Sequence, residues 1–311
     1  MSTPETIAAV RSELGTLVTE SANPNYPDLA AMSTLELVTA MNGEDARVPA
    51  AIAGVLPTIA GIIDEIAMRM HDGGRLVYVG AGTPGRLGIL DASECPPTFG
   101  TDPSRVVGVI AGGQVAVSQA VENAEDSMEA GTADMAALDL TPQDTVIGIA
   151  ASGRTPYVIA AIEAARGKGA FTVGFACNNN SPLGAAAETA LEIEVGPEFL
   201  AGSTRLKSGT CQKLVLNMIS TLTMVRLGKT YKNFMVDLRA TNAKLHARSQ
   251  RTLMRATDCD AATAAAALDA ADGHVKAAIL SIMTGLPAAQ AVALLETNDG
   301  FLPAAISAGS H

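Results

Sequence analysis

The stretch RLVYVGAGTPGRLGILDASECPPTFG, residues 75–100, decides the fold. Its opening RLVYVG is short, apolar and rich in β-branched residues, as a strand buried on both faces must be. GAGTPGRLG then crowds glycines and a hydroxyl into a turn, and a helical pattern follows. Four more segments read the same way: RVVGVI (105–110), TVIGIA (145–150), FTVGFA (171–176) and LEIEV (191–195). Helical patterns separate several of them, most clearly Pro156 to Lys168. Strands alternating with helices need crossover connections and therefore pair in parallel. The expected fold class is α/β, a doubly wound five-stranded parallel sheet, joined to a small C-terminal helical domain.

Working outward, residues 1–56 read as an N-terminal helical segment. There NPNYPD (23–28) is a loop, and Ser33 with Glu36 forms a capping box. The main domain is expected over 57–230, opened by a helix from Pro57 to Met70 and closed by a long one from Ser208 to Leu227. A connecting helix is expected over 231–252, then the helical domain over 253–311. This last region carries a weak repeat offset by 27 residues: Leu268 matches Leu295, Asp272-Gly273 matches Asp299-Gly300, and Ala277–Ile279 matches Ala304–Ile306. Two helix-turn-helix units result, with each Asp-Gly ending a helix.

Bulk properties exclude several classes of function. Hydrophobic residues make up 48% of 311, enough for a large core, yet aromatics are only 3% and Trp is absent. Few aromatic platforms and a net charge of −11 argue against nucleic acid and anionic lipid as partners. No apolar run approaches the length of a membrane span, and the start lacks a signal-peptide stretch, so a cytoplasmic protein is expected. Cys95, Cys177, Cys211 and Cys259 lack metal-ligand spacing, and neither metal nor cofactor is expected.

Two loops can hold an anion. Strand one runs into Gly80–Gly88 and strand three into ASGRTP (151–156). Free backbone amides and the positive end of a helix dipole suit a phosphate there. Gly82, Thr83 and Arg86 in the first loop, and Ser152, Gly153, Arg154 and Thr155 in the second, are the candidate binding residues. If the strand order is 2-1-3-4-5, these loops flank the switch point where such sheets take ligands. The first loop also fits GxGxxG, but no acidic residue follows strand two to hold a ribose, so a phosphate ester is the better reading than a dinucleotide. A third region, Glu194 to Lys213, is a polar loop entering the long helix. Lys207 and Ser208 at its start form either another anion site or an ordinary cap. Two prolines after Cys95 are expected to push Glu94 out of helical geometry into a loop near the strand ends. The carboxylates of SQAVENAEDSMEAG (118–131) read as a solvated helix face; spacing alone selects no catalytic one.

Several long strings, namely GAGTPGRLGILDASECPPTFG, AASGRTPYVIAAIEAA, GPEFLAGSTRLKSGTCQKLVLNMIS and FMVDLRATNAKL, resemble the N-acetylmuramic acid 6-phosphate etherases over roughly residues 21–302. The resemblance implies a sugar-isomerase (SIS-type) phosphosugar domain, a homodimer with active sites near the subunit boundary and a phosphorylated amino-sugar substrate. It implies cleavage of the D-lactyl ether to N-acetylglucosamine 6-phosphate and D-lactate, with no metal or redox cofactor. It also maps the family's two functional glutamates onto Glu94 and Glu125, with Glu94 expected as the acid at the leaving lactate and Glu125 as the base at carbon 2 or on the adding water. One departure stands out: the family pattern GAGTSGRLG has Pro84 here, which offers neither hydroxyl nor N–H. Within the same fold, a phosphosugar isomerase and a non-catalytic phosphosugar sensor are the alternatives.

Overall fold

A computed structural model describes residues 11–12, 14–237 and 243–310. The chain divides into two compact units. One comprises Met1–Ala92 with Ser104–Ile219, and the other Ser93–Pro103 with Ser220–His311.

In the first unit, helices α1 (Thr34–Asp45), α2 (Val48–Ala53) and α3 (Leu56–His71) precede the sheet. The Ser33–Glu36 capping box is present as read. Strands β1 (Leu76–Gly80), β2 (Val106–Ile110), β3 (Thr145–Ala150), β4 (Phe171–Ala176) and β5 (Thr189–Glu192) pair in parallel in the order β2-β1-β3-β4-β5. Between them run α4 (Gly82–Phe99), α5 (Val115–Ser118), α6 (Met128–Ala136), α7 (Pro156–Gly167) and α8 (Pro182–Ala186), and α9 (Lys207–Arg226) follows. Val77, Val79, Val146, Tyr157, Ala161 and Ile162 are fully buried in one cluster. Each large side chain so removed from water contributes about 1.5–3 kcal/mol.

Two expectations change. The fifth strand is shifted two residues upstream and shares only Leu191 and Glu192 with LEIEV, because β4 offers partners only as far as Ala176, which faces Glu192. Ile193 still donates to the Ala176 carbonyl at 3.0 Å, but the run beyond it outlasts its neighbour. Glu94 is helical rather than in a loop: α4 continues through Pro96 and Pro97 to Phe99, and Gly100 N–H closes its last turn on the Pro96 carbonyl at 2.9 Å. Proline biases the residue before it away from helix without forbidding it, and its own fixed φ is helix-compatible.

In the second unit, a two-stranded hairpin of β6 (Thr230–Tyr231) and β7 (Phe234–Met235) stands where the connecting helix was expected to begin. Gly228 at φ +70° ends α9, and Lys232 at φ 53° makes the hairpin turn, so the chain cannot continue as helix. Helix α10 starts only at Ala243 and ends at Thr257. Then come α11 (Ala261–Ala270), α12 (Val275–Thr284), α13 (Ala288–Glu296) and α14 (Leu302–Gly309). The repeat read in the sequence is a structural one. Asp272-Gly273 and Asp299-Gly300 all have positive φ, and the two glycine amides donate to Leu268 and Leu295 carbonyls, both at 2.8 Å.

Candidate functional site

The C-terminal ends of β1 and β3 are adjacent, with β2 and β4 outside them, so the chain's connections diverge there. From β1 the chain turns at Ala81 and enters α4 at Gly82, whose φ of +59° only glycine adopts freely. A Cβ on Gly80 would stand 2.6 Å from the Gly85 nitrogen, and one on Gly85 would stand 2.6 Å from Ile110 Cγ1. These glycines therefore let helix and strands approach. Pro84 sits buried in the first helical turn, where no intrahelical donor is needed. Tyr78 on β1 donates its hydroxyl to buried Asp91 on α4 at 3.0 Å, fixing the helix against its strand. Thr83 is half-buried, and a Cβ on Gly209 of α9 would lie 3.6 Å from its methyl, so the start of α9 adjoins this loop.

The β3 loop is built as tightly. Gly153 has φ +71°, and a Cβ there would fall 2.4 Å from Ser181 Cβ. Asn178, 4% exposed, holds the loop from behind. Its amide donates to Thr19 Oγ1 (2.9 Å) and the Ala151 carbonyl (3.1 Å), and its oxygen accepts from Val18 N–H at 3.0 Å. Ser152 Oγ accepts from Arg154 N–H at 3.2 Å. Thr155 is the N-cap of α7, yet its hydroxyl makes no capping bond. Hydroxyls of Thr83, Ser152 and Thr155 thus stand with helix-start amides at one edge of the sheet, a suitable cradle for a phosphate.

Three expected ligands are committed elsewhere. Arg86 donates to the carbonyls of Ala116 (3.0 Å), Val117 (3.1 Å) and Gln119 (3.1 Å), so it clamps the segment after β2 rather than offering a free fork. Lys207 is 1% exposed and its ammonium is bonded to the carboxylate of Glu44, itself 3% exposed. Burial pushes the Glu44 carboxyl up, but the Lys207 hydrogen bond and charge, with Arg47, outweigh it and hold it below the usual range. Ser208 donates both N–H (2.9 Å) and hydroxyl (2.8 Å) to Glu198, which also accepts from Lys207 N–H at 2.8 Å. The start of α9 is an anion site, but the fully buried Glu198 fills it. Nothing local announced this, since Glu198 lies nine residues before the helix, beyond ordinary capping distance. Asn178 was missed for the same reason: its partners are remote in sequence.

Glu125 lies on a 3-10 turn, Ala124–Asp126, and is exposed. The expected acidic helix over 118–131 is broken there because Asn123 takes a left-handed conformation (φ 61°). Val121 packs on Gly112, 2.9 Å from where its Cβ would be, and with the Arg86 clamp this shapes the loop carrying Glu125. Glu94 is also exposed, and falls within the second unit's segment Ser93–Pro103.

Residues 58–166 match the glucokinase regulatory protein N-terminal SIS domain family, and residues 117–222 match the SIS domain family. An N-acetylmuramic acid 6-phosphate etherase from Streptomyces avermitilis is 59% identical over 89% of each chain. Proteins of the same name from Streptomyces coelicolor and Halalkalibacterium halodurans are 58% and 54% identical, covering 88% of each chain, and 94% and 98% of this chain and that one, respectively. Among solved structures, a phosphoheptose isomerase from Francisella tularensis aligns at 18% identity with a TM-score of 0.48, over 62% of this chain and all of that one.

Proposed function

Because the chain belongs to the N-acetylmuramic acid 6-phosphate etherase family, we propose that it cleaves the D-lactyl ether of that sugar phosphate, releasing N-acetylglucosamine 6-phosphate and D-lactate. The observation that carries this reading is 59% identity over 89% of both chains. The phosphate is assigned to the cradle of Thr83, Ser152 and Thr155, with the amides of Gly82 and Gly153 and the charge of Arg154. Arg86 acts as a positioning residue for the Glu125 loop.

An ether resists direct hydrolysis because an alkoxide leaves poorly. Opening the sugar ring exposes an aldehyde at carbon 1 and acidifies the proton on carbon 2. Glu125 takes that proton, Glu94 protonates the departing lactate oxygen at carbon 3, and water adds to the unsaturated aldehyde. Acid and base groups in place contribute about a hundredfold to ten-thousandfold each.

The same reading assigns the working form to a homodimer, in which a second copy covers part of this surface. Leu90, one turn before Glu94, is 43% exposed on the single chain and suits burial by that copy. No single helix among the described residues is long and apolar enough to cross a membrane, and the reaction is assigned to the cytoplasm, in recycling of cell-wall sugar.

Purified protein incubated with N-acetylmuramic acid 6-phosphate in oxygen-18 water tests this. Lactate release with the label in the amino-sugar phosphate is expected, since elimination and re-addition break the bond between carbon 3 and the ether oxygen. Label in lactate, or no lactate from folded protein, overturns it. Light scattering checks the dimer.

A further inference from the structure

We infer that Asn178 is a positioning residue for the phosphate cradle, and that the N-terminal stretch Leu17–Ser21 is the strap it works through; the inference rests on the cradle assigned above. Leu17 and Thr19 are buried, although the stretch is a single 3-10 turn, Val18–Glu20, between extended residues. Irregular backbone normally runs over a surface, because its polar groups need partners. Here Asn178 supplies them. Its oxygen accepts from Val18 N–H at 3.0 Å and Thr19 N–H at 3.4 Å, and its amide group donates to Thr19 Oγ1 at 2.9 Å. The same amide group donates to the Ala151 carbonyl at 3.1 Å, so one carboxamide is spent on two segments remote from each other in sequence. Farther on, Tyr26 meets Phe199 edge to face at 5.1 Å, in the loop that enters α9.

Ala151 leads directly into the donors of the cradle, the Ser152 hydroxyl, the Gly153 amide and the Thr155 hydroxyl. Strand β3 ends at Ala150, so its ladder does not hold the loop beyond that point. The bonds onto the Ala151 carbonyl do, from Cys177 N–H at 2.9 Å and from Asn178. Of these two donors, Asn178 is the one that also grips the strap, so strap and loop shift together. A phosphate held by backbone amides senses their direction, and a misplacement of about 1 Å that originates away from the ligand can cost about a hundredfold. Thr19 itself is not among the residues assigned to the ligand, which makes it the cleaner place to cut the link.

Titration calorimetry on the full chain with N-acetylglucosamine 6-phosphate, beside KM and kcat for lactate release, tests the link. Thr19→Val removes one hydroxyl and strands one Asn178 N–H; Kd and KM should rise about fivefold to tenfold, with kcat within about twofold of wild type. Thr19→Ser restores the acceptor and should bind as wild type does. Asn178→Ala cuts both segments loose and should bind more weakly than Thr19→Val; if it does not fold, the two Thr19 variants decide. Unfolding midpoints show which variants are folded. A merely structural bond would lower the midpoint and leave Kd and KM where they were. That result, or a Thr19→Ser variant as weak as Thr19→Val, overturns the inference. A wild-type chain that does not bind the probe overturns the cradle and the strap's role together, whereas binding without lactate release sinks the etherase reading alone.

Discussion

Replacing Lys207 by Met separates a structural lysine from a phosphate-binding one. In the native chain its ammonium is 1% exposed and is spent on Glu44, which is 3% exposed. Removing it leaves a buried carboxylate whose remaining partner, Arg47 at 3.3 Å, is 62% exposed at its side chain and well solvated. Breaking a buried pair from one side costs about 3–5 kcal/mol, so the unfolding midpoint of the first unit should drop by roughly 6–20 °C. Combining it with Glu44→Gln should recover part of the loss, since the stranded charge goes with its partner. The sign of the pH dependence follows from Glu44. Its folded pKa is depressed, so the pair's stability is fully present above the unfolded carboxyl value of about 4.3 and is lost as pH falls through the folded one. The gap between wild type and variant should therefore narrow on acidification below that value. Calorimetry and urea unfolding across pH 3–7, with KM for the sugar phosphate at pH 7, make the assay. A variant that melts with wild type while its KM rises would refute the reasoning and return Lys207 to the phosphate.

Other expected outcomes concern the catalytic loops and the buried caps. Glu94→Gln and Glu125→Gln should each lower lactate release about a hundredfold or more with unchanged unfolding midpoints, since both side chains are exposed; full activity in either removes that residue from the mechanism. Arg86→Ala should lower kcat about tenfold to a hundredfold with little change in KM, because three carbonyls of the segment before Glu125 lose their clamp; a rise in KM alone would make Arg86 a ligand. Glu198→Ala should destabilise by about 3–5 kcal/mol, leaving two amides and a hydroxyl buried without their acceptor, as urea unfolding can measure. Gly153→Ala should raise KM and lower stability by about 1–3 kcal/mol, since its φ is +71° and the new methyl meets Ser181; unchanged values would show that the loop gives way freely.

What the sequence by itself determined is whatever local pattern encodes. Five β-branched runs and the helices between them required parallel pairing, and the glycine-hydroxyl turns after β1 and β3 were legible as tight strand-to-helix turns. The Asp-Gly spacing likewise revealed both C-terminal helical units, because left-handed residues and their amide bonds are local devices. Tertiary structure decided what depends on partners distant along the chain. Lys207 and Ser208 carry the residue types of a phosphate site, yet Glu44, 163 residues away, and Glu198 had already claimed them. Arg86 likewise found carbonyls about thirty residues on. Glu94 kept its helical conformation despite two prolines, because a proline near a helix end removes ladder bonds without closing helical φ to its neighbours. A charged side chain near a turn announces that an anion can be bound; only the packed chain decides whether that anion is a ligand or one of its own carboxylates.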